Sequence, residues 1–255
     1  MLPLSVVIIT HNEERNIARC LDSVKSIADD IVVVDSFSTD STRKICERYP
    51  VNFITHSWEG YSLTKNFANN SAKYNWILSL DADEALSAEL AQSIEKLKQG
   101  DQLLTCEFDR MTNYCGKWIR HCGWYPDTKI RIFDRTIAHW EGVIHEKLNF
   151  TKNTPVVHLA GDCLHYSYYD KAQHLQQADK FTTIAAKHFY SQGNKNPAYK
   201  LYLSPLLKFI QSYFLQLGFL DGTAGFQVCR ISAFASYLKY KKINELSQTK
   251  GKFVS

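Results

Sequence analysis

Two aspartates one residue apart, Asp81 and Asp83 in Leu80-Asp81-Ala82-Asp83-Glu84, follow directly on the apolar run Trp76-Ile77-Leu78-Ser79-Leu80. A short apolar run ended by charge is the pattern of a buried strand. Side chains at i and i+2 of a strand share a face, so both carboxylates are expected on one side at the strand's C-terminal end. Open α/β sheets bind their ligands at that end. Paired hard oxygen donors suit Mg²⁺ or Mn²⁺ carrying a diphosphate, because such ions take one or two carboxylates and complete their shell with substrate oxygens. Taken alone, the stretch reads equally well as a solvated turn capping the next helix. A third carboxylate, Asp35, ends Ile31-Val32-Val33-Val34-Asp35 and converges with the other two if the strands are neighbours in one parallel sheet. Such a group can accept hydrogen bonds from a ribose or a base, or simply stabilise a turn.

The elements that must position these carboxylates alternate. Leu4 to Thr10 is a run rich in β-branched residues, suited to a central parallel strand. Glu13 to Ile27 has helical periodicity through Ile17, Leu21 and Val24, with Asn12 placed to cap it. After Asp35, the polar turn Ser36 to Thr42 can cap a helix reaching Tyr49. Val51 to Thr55 is a short third strand, Tyr61 to Lys73 a helix, and Ser87 to Gln99 a helix beyond the aspartate pair. Strands alternating with helices give βαβ units and a parallel sheet. Past Gly100 the pattern turns mixed and more antiparallel, with strands over Leu103–Arg110, Tyr114–Ile119, Lys129–Phe133 and Val156–Leu159. Lys171 to Gln192 is helical, and two apolar helical stretches follow Pro197, broken near Gly218–Gly225. No internal repeat or low-complexity segment interrupts the chain.

Bulk properties limit the function. A chain of 255 residues holds one large domain, or one domain with an appendage. Tyr199 to the C-terminus carries eight Lys/Arg against two Asp/Glu, net +6, whereas residues 1–198 carry 22 against 24, net −2. The body therefore lacks the basic stripe of a nucleic-acid binder, and the basic, apolar C-terminal part suits an anionic surface. Seven scattered cysteines without a Cys-x-x-Cys pair argue against a disulfide framework and a zinc site, and fit a reducing compartment. No basic leader precedes the first strand, and the longest uncharged stretch, Phe209 to Leu220, is shorter than the ~18–20 residues a span needs. The expected location is the cytoplasm, peripheral at the inner face of the cell membrane. No Gly-x-Gly-x-x-Gly follows Asp35 and no Gly-x-x-x-x-Gly-Lys-Ser/Thr occurs, which argues against a Rossmann cofactor site and a P-loop.

Three segments in order, Val7-Ile8-Ile9-Thr10-His11-Asn12-Glu13, Ile31 through Asp35-Ser36-Phe37-Ser38-Thr39-Asp40-Ser41-Thr42, and Leu80-Asp81-Ala82-Asp83-Glu84, resemble family-two glycosyltransferases of the GT-A fold. The likeness extends over nearly the whole chain and is greatest to the lipopolysaccharide-core β-glucosyltransferases. It implies an α/β fold, a mixed and mostly parallel sheet flanked by helices, with a C-terminal helical appendage. It implies a catalytic domain over 1–168, divided into a nucleotide-binding half (1–100) and an acceptor half (101–168), and a membrane-associating helical segment over 169–255. By the same resemblance Thr10, Asn12, Glu13, Asp35, Asp40, Lys65 and Asn66 lie on the nucleotide side. Asp81 sits near the sugar and ribose at the catalytic centre, and Asp83 ligates Mg²⁺ or Mn²⁺. Phe37 departs from the family, many of whose members have Gly there, so the turn has to form without a glycine free to take positive φ.

An inverting transfer also needs a base for the acceptor hydroxyl. Trp140-Glu141-Gly142-Val143-Ile144-His145-Glu146 resembles the family's Trp-x-Gly-x-x-His-Glu segment, which makes Glu146 the base; Asp127, after Gly123-Trp124-Tyr125-Pro126, is its rival. The Gly-Trp-Tyr-Pro stretch itself suits an aromatic wall for the donor or acceptor sugar. His165 resembles the C-terminal histidine that completes the metal site in many GT-A enzymes, and reads equally as a satisfied core residue. Arg131 faces either the diphosphate or solvent. The segment from Tyr199 through Lys242 is either a helical hairpin packed on the catalytic domain or a basic amphipathic surface lying in the membrane interface. Together these readings give a metal-dependent inverting hexosyltransferase acting from a UDP-sugar, with glucose foremost, on a lipid-linked saccharide such as lipopolysaccharide core. Two alternatives keep the pocket. One is a polyprenyl-phosphate sugar transferase, whose phosphate acceptor needs little base assistance; the other is a non-catalytic nucleotide-sugar-binding protein.

Overall fold

Val6, Val7, Ile8 and Ile9 offer no polar face to water, and the strand they form, β1 (Ser5–Thr10), is buried along its whole length. In chain order the other strands are β2 (Asp30–Asp35), β3 (Asn52–Thr55), β4 (Trp76–Asp81), β5 (Glu84–Leu86), β6 (Thr105–Tyr114), β7 (Lys117–Ile119), β8 (Thr128–Asp134), β9 (Ala138–Glu141), β10 (Lys147–Phe150) and β11 (Val156–Tyr168). The helices are α1 (Ile17–Val24), α2 (Thr42–Cys46), α3 (Tyr61–Asn70), α4 (Ala88–Lys98), α5 (Lys171–Ser191), α6 (Lys200–Ile210) and α7 (Gly222–Gly251). This computed structural model describes residues 1–142, 146–192 and 199–251. They form two compact units, Met1–Met111 with Asp127–Tyr166, and Thr112–Pro126 with Ser167–Ser255.

The large sheet has the order β3-β2-β1-β4-β8-β6-β11-β5, with β7 paired to β6; β9 and β10 form a separate hairpin. The first four strands are parallel, joined by helical crossovers as βαβ units require. The pairs β4–β8, β8–β6 and β11–β5 are antiparallel. Strand alternation sorts the apolar residues between two layers. Val6, Ile8, Leu78 and Leu80 pack against Ile17, Leu21, Leu90 and Ile94 on one face. Val7, Ile9, Val32, Val34 and Ile77 pack against Ala68, Phe133 and Trp140 on the other.

Several elements differ from the sequence expectation. The first helix starts at Ile17 with Asn16, not Asn12, at its N-terminal boundary; Asn12 takes φ +56 in the preceding loop. The helix expected to reach Tyr49 ends at Cys46. The strand expected over Tyr114–Ile119 is split into the end of β6 and β7 by a two-residue turn, Cys115 and Gly116 both adopting positive φ (+50 and +85). The strand expected over Val156–Leu159 runs on to Tyr168.

The second unit is helical, with a core of Tyr114, Ile119, Cys122, Val228 and Cys229. A π-helical turn, Gln211–Leu215, ends α6, and a 3-10 turn, Gly218–Asp221, separates it from α7, so the glycine-rich stretch breaks the helices as its composition predicts. Gly225 meets the Gly218 carbonyl so closely that a Cβ there would lie 2.0 Å from the oxygen. Asp221 accepts from the His121 backbone N–H at 2.8 Å and lies 2.8 Å from His121 Nδ1. Trp124, expected to form a sugar wall, packs with Tyr114, Tyr168 and His174 in an aromatic cluster of this unit. Among the described residues, no helix is long and apolar enough to cross a membrane. All seven cysteines are free thiols, Cys115 exposed and the other six buried.

Candidate active site

Parallel register brings the strand ends together: Thr10 pairs with Asp35 across β1–β2, and Ile9 with Asp81 across β1–β4. Three groups of side chains gather at this edge, all within the first unit.

The first group sits on the loops after β1 and β2. Asp35 is buried and caps its own turn, accepting from the Ser38 N–H at 2.9 Å and from the Ser38 hydroxyl. Asn12 fastens the two loops, its N–H donating to Ser38 Oγ at 2.8 Å and its Oδ1 accepting from the Thr39 N–H at 2.8 Å. Asp40 does the same with both oxygens, accepting from the Glu14 N–H at 3.0 Å and from the Thr42 N–H at 2.9 Å. Burial raises the Asp40 pKa, but these hydrogen bonds outweigh it and hold the group below the usual carboxylate range. Asn12 and Asp40 thus build the loops themselves. Phe37 takes the left-handed conformation at φ +57 and leaves its ring 61% exposed, so the turn forms with a strained non-glycine residue. Burial, with Asp83 and Asp40 adding repulsion, pushes Glu13 up to about 7 against the opposing hydrogen bond from Asn16. Thr10 Oγ1 is buried and has no partner among the described residues.

The second group centres on Lys65, a lysine of α3 only 2% exposed. Its Nζ lies 3.1 Å from Asp81 Oδ1 and 3.2 Å from Glu146 Oε1, and 5.0 Å from the centre of the Trp140 ring. One buried ammonium thereby joins carboxylates 65 positions apart in sequence. The neighbouring Asn66 clamps the Trp140 backbone in both directions, donating to its carbonyl and accepting from its N–H, each at 2.9 Å. Asn66 therefore fastens β9 to α3. His145 lies outside the described residues. Arg131, expected to face a diphosphate or solvent, is instead buried and bonded to Glu84 Oε1 at 2.6 Å and Asp81 Oδ2 at 3.3 Å. Burial would raise the Asp81 pKa, but Lys65 and Arg131 outweigh it and hold the carboxyl well below its usual range.

The third group is Asp83 and His165. His165, on β11, faces Glu84 on β5 in register, which carries its ring to the carboxylate pair. Its Nε2 is 3.1 Å from Asp83 Oδ2, with the side chains 14% and 25% exposed. Burial disfavours the imidazolium, yet the Asp83 charge prevails and raises the His165 pKa. Among the described residues no third His, Cys, Asp or Glu joins them to make a complete protein cage. A carboxylate oxygen and an imidazole nitrogen reaching solvent together fit an ion whose remaining positions are filled by diphosphate oxygens.

Sequence reasoning missed Glu84, which has no exposed side-chain surface and anchors the site from below. It accepts from Arg131, from Arg110 at 3.3 Å and from the Asp81 N–H at 3.0 Å. The available signal is Arg131 standing inside the apolar strand Ile130-Arg131-Ile132-Phe133, since a buried arginine demands a carboxylate. Asp127 is engaged by Arg110 at 2.7 Å and Lys129 at 2.8 Å. Burial opposes, but these two cations lower its pKa and hold it ionised.

A mixed sheet with a parallel half, an Asp-x-Asp at the end of a central strand and a helical extension defines a GT-A-type sugar-nucleotide transferase. The pattern described as glycosyl transferase family 2 matches residues 5–170, and the chain belongs to that family, whose members move a sugar from a nucleotide-sugar donor to an acceptor. An uncharacterized glycosyltransferase of Rickettsia typhi is 32% identical over 97% of this chain and 88% of its own length. The lipopolysaccharide core biosynthesis glycosyltransferase LpsC of Rhizobium meliloti is 28% identical over 95% of this chain and 92% of its own length. Among solved structures, the mannosyltransferase PcManGT of Pyrobaculum calidifontis, in complex with GDP-Man and Mn²⁺, shares the fold with a TM-score of 0.50. It is 17% identical and is covered over 93% of this chain and 88% of that one.

Proposed function

We propose that this protein is an inverting hexosyltransferase that moves a hexose, glucose foremost, from a UDP-sugar to a lipid-linked saccharide such as lipopolysaccharide core. The observation that carries the reading is Lys65, whose buried ammonium holds Glu146 and Asp81 within 3.2 and 3.1 Å. A base and the Asp-x-Asp edge are thereby fixed in one place, as attack of an acceptor on a bound sugar requires. Glu146 takes the proton of the acceptor hydroxyl. The acceptor oxygen bonds to the anomeric carbon as the bond from that carbon to the diphosphate breaks, through an oxocarbenium-like transition state, and UDP leaves with the electron pair. Asp81, kept ionised by Lys65 and Arg131, lies at the sugar and ribose. Thr10, whose buried hydroxyl has no partner among the described residues, and Asp35 bind the nucleoside side within loops that Asn12, Glu13 and Asp40 shape. Asp83 and His165 would hold the divalent cation, which when bound supplies charge neutralisation for the departing diphosphate. Residues 1–168 would be the catalytic domain and 169–255 the segment that meets the inner face of the membrane. The lipid-borne acceptor is supported by the likeness to the LpsC protein and by the net +6 charge from Tyr199 onward.

The test is transfer from UDP-glucose to lipid-linked core saccharide by wild type and Glu146→Gln. The variant is expected to lose about 10²–10⁴-fold in transfer, the range of a general base, while binding UDP as wild type does. Undiminished transfer would remove Glu146 from the chemistry and leave the acceptor's proton to another base.

A further inference from the structure

Trp58 and Tyr61 stand half out in solvent, 50% and 41% exposed, their rings edge to face with centroids 4.8 Å apart. Tryptophan is highly buried on average, and an exposed aromatic pair at the rim of a catalytic cluster points to a binding surface.

Neither ring is carried on loose backbone. The loop between β3 and α3 is tied at both ends, the His56 N–H donating to the Asp35 carbonyl at 2.9 Å and the Glu59 N–H to Thr64 Oγ1 at 3.3 Å. The His56 ring stacks on Phe67 at 3.7 Å, and its Nε2 lies 3.0 Å from Glu59 Oε2. Gly60 turns the chain into α3 at φ +96, a conformation open to glycine. The first turn of α3 is held by Ser62, whose hydroxyl donates to the Gly142 carbonyl at 2.6 Å. Rings fixed before a ligand arrives lose little conformational freedom on binding it.

Tyr61 connects the pair to the chemistry. Its ring centre is 5.9 Å from Lys65 Nζ, the ammonium that bridges Glu146 and Asp81. Burial raises its phenol pKa, and the charges of Asp81, Glu146 and Asp83 add to the rise, so the phenol shares their electrostatic surroundings. Trp58, the more exposed of the two, carries the wall on toward solvent.

A pyranose suits such a wall. One of its faces is a patch of C–H bonds that meets the negative face of an aromatic ring and sheds its water there, while the hydroxyls at its rim stay free for polar partners. As the base, Glu146 requires an acceptor hydroxyl beside it, and the rest of a saccharide chain must continue into solvent, the course that Trp58 takes from Tyr61. The donor hexose is tied instead to the Asp-x-Asp edge through its diphosphate.

We propose that Trp58 and Tyr61 form the platform on which the acceptor's terminal sugar ring stacks, presenting its hydroxyl to Glu146. The platform rests on the saccharide-acceptor reading above and names the side chains that select a sugar over a bare phosphate.

Two measurements on the full chain test it: transfer kinetics from UDP-glucose to lipid-linked core saccharide, and calorimetric titration with lipid-free core oligosaccharide in the absence of donor. Trp58→Ala is expected to raise the acceptor KM and to weaken oligosaccharide binding by about 10- to 30-fold, the loss of one well-packed aromatic anchor. Its kcat at saturating acceptor and its KM for UDP-glucose should stay within about twofold of wild type, and unchanged UDP binding shows that it folds. Trp58→Phe keeps a ring and should recover most of the loss. Acceptor KM and oligosaccharide affinity unchanged in Trp58→Ala overturn the proposal. So does a rise confined to the UDP-glucose KM, which would give the platform to the donor, and so does a loss that Trp58→Phe leaves unrecovered. UDP release without oligosaccharide binding by wild type removes the platform and spares the transferase reading. Oligosaccharide binding that depends on Trp58, without UDP release from any donor, supports the platform and sinks the transferase reading.

Discussion

Replacing Arg131 by Met should destabilise the protein far more than its single position suggests. Glu84 has no exposed side-chain surface, and its charge is met by Arg131 at 2.6 Å and by the part-exposed Arg110 at 3.3 Å. Arg131→Met removes the nearer cation and leaves a buried carboxylate with the longer contact alone. Breaking a buried ion pair from one side costs about 3–5 kcal/mol. Arg110 stays, so the lower end applies, about 3 kcal/mol, or a fall in melting temperature of roughly 6–12 °C for a chain of this size. In a Glu84→Gln background the same change should cost only about 1 kcal/mol, because no uncompensated charge remains, while the amide oxygen can still accept from the Asp81 N–H. Urea and thermal unfolding of the two singles and the double complete the cycle. A melting temperature for Arg131→Met within about 2 °C of wild type, or equal costs in both backgrounds, would refute the buried-pair reasoning.

Three further outcomes follow from the structure. Gly225→Ala places a Cβ 2.0 Å from the Gly218 carbonyl and should cost about 1–3 kcal/mol by overpacking, read as a lower melting temperature of the helical unit. Burial lowers the pKa of His174 from 6.5 to about 4, and its Nδ1 has no partner among the described residues. The unfolded chain then binds the proton more tightly, so stability is complete above pH 6.5 and declines by about 3 kcal/mol as the pH falls to 4; urea unfolding should show that loss, and His174→Phe should flatten it. Asn66→Ala removes both hydrogen bonds to the Trp140 backbone and should cost about 1–2 kcal/mol, with kcat falling more than UDP affinity; an unchanged melting temperature would contradict it.

The first hundred residues were legible because their strands are uninterrupted apolar runs, and such runs fix both burial and the positions of Asp35 and Asp81 at strand ends. The pairing of Asp83 with His165 could not be read in that way. It depends on β11 running to Tyr168, and that strand's later half mixes Gly161, Asp162 and His165 instead of showing an apolar period. The short strands β5, β9 and β10, of three to four residues each, leave too little pattern to detect. Asn12 read as a helix cap because its type suits one, yet its partners are on the loop after β2, a contact that local sequence does not contain. Glu84 and Arg131 were misjudged for a related reason. Charge in a sequence is solvated by default, and only tertiary pairing shows that these two are buried together.

The central claim is that Asp81, Asp83 and His165 frame a metal-assisted site for a UDP-sugar. UDP release should be measured from a panel of UDP-sugars, with and without Mn²⁺ or Mg²⁺, using slow donor hydrolysis as the readout. Metal-dependent release from one sugar nucleotide is expected, lost in Asp83→Ala, with UDP binding that needs the same ion. Neither release nor UDP binding under any of these conditions would contradict it.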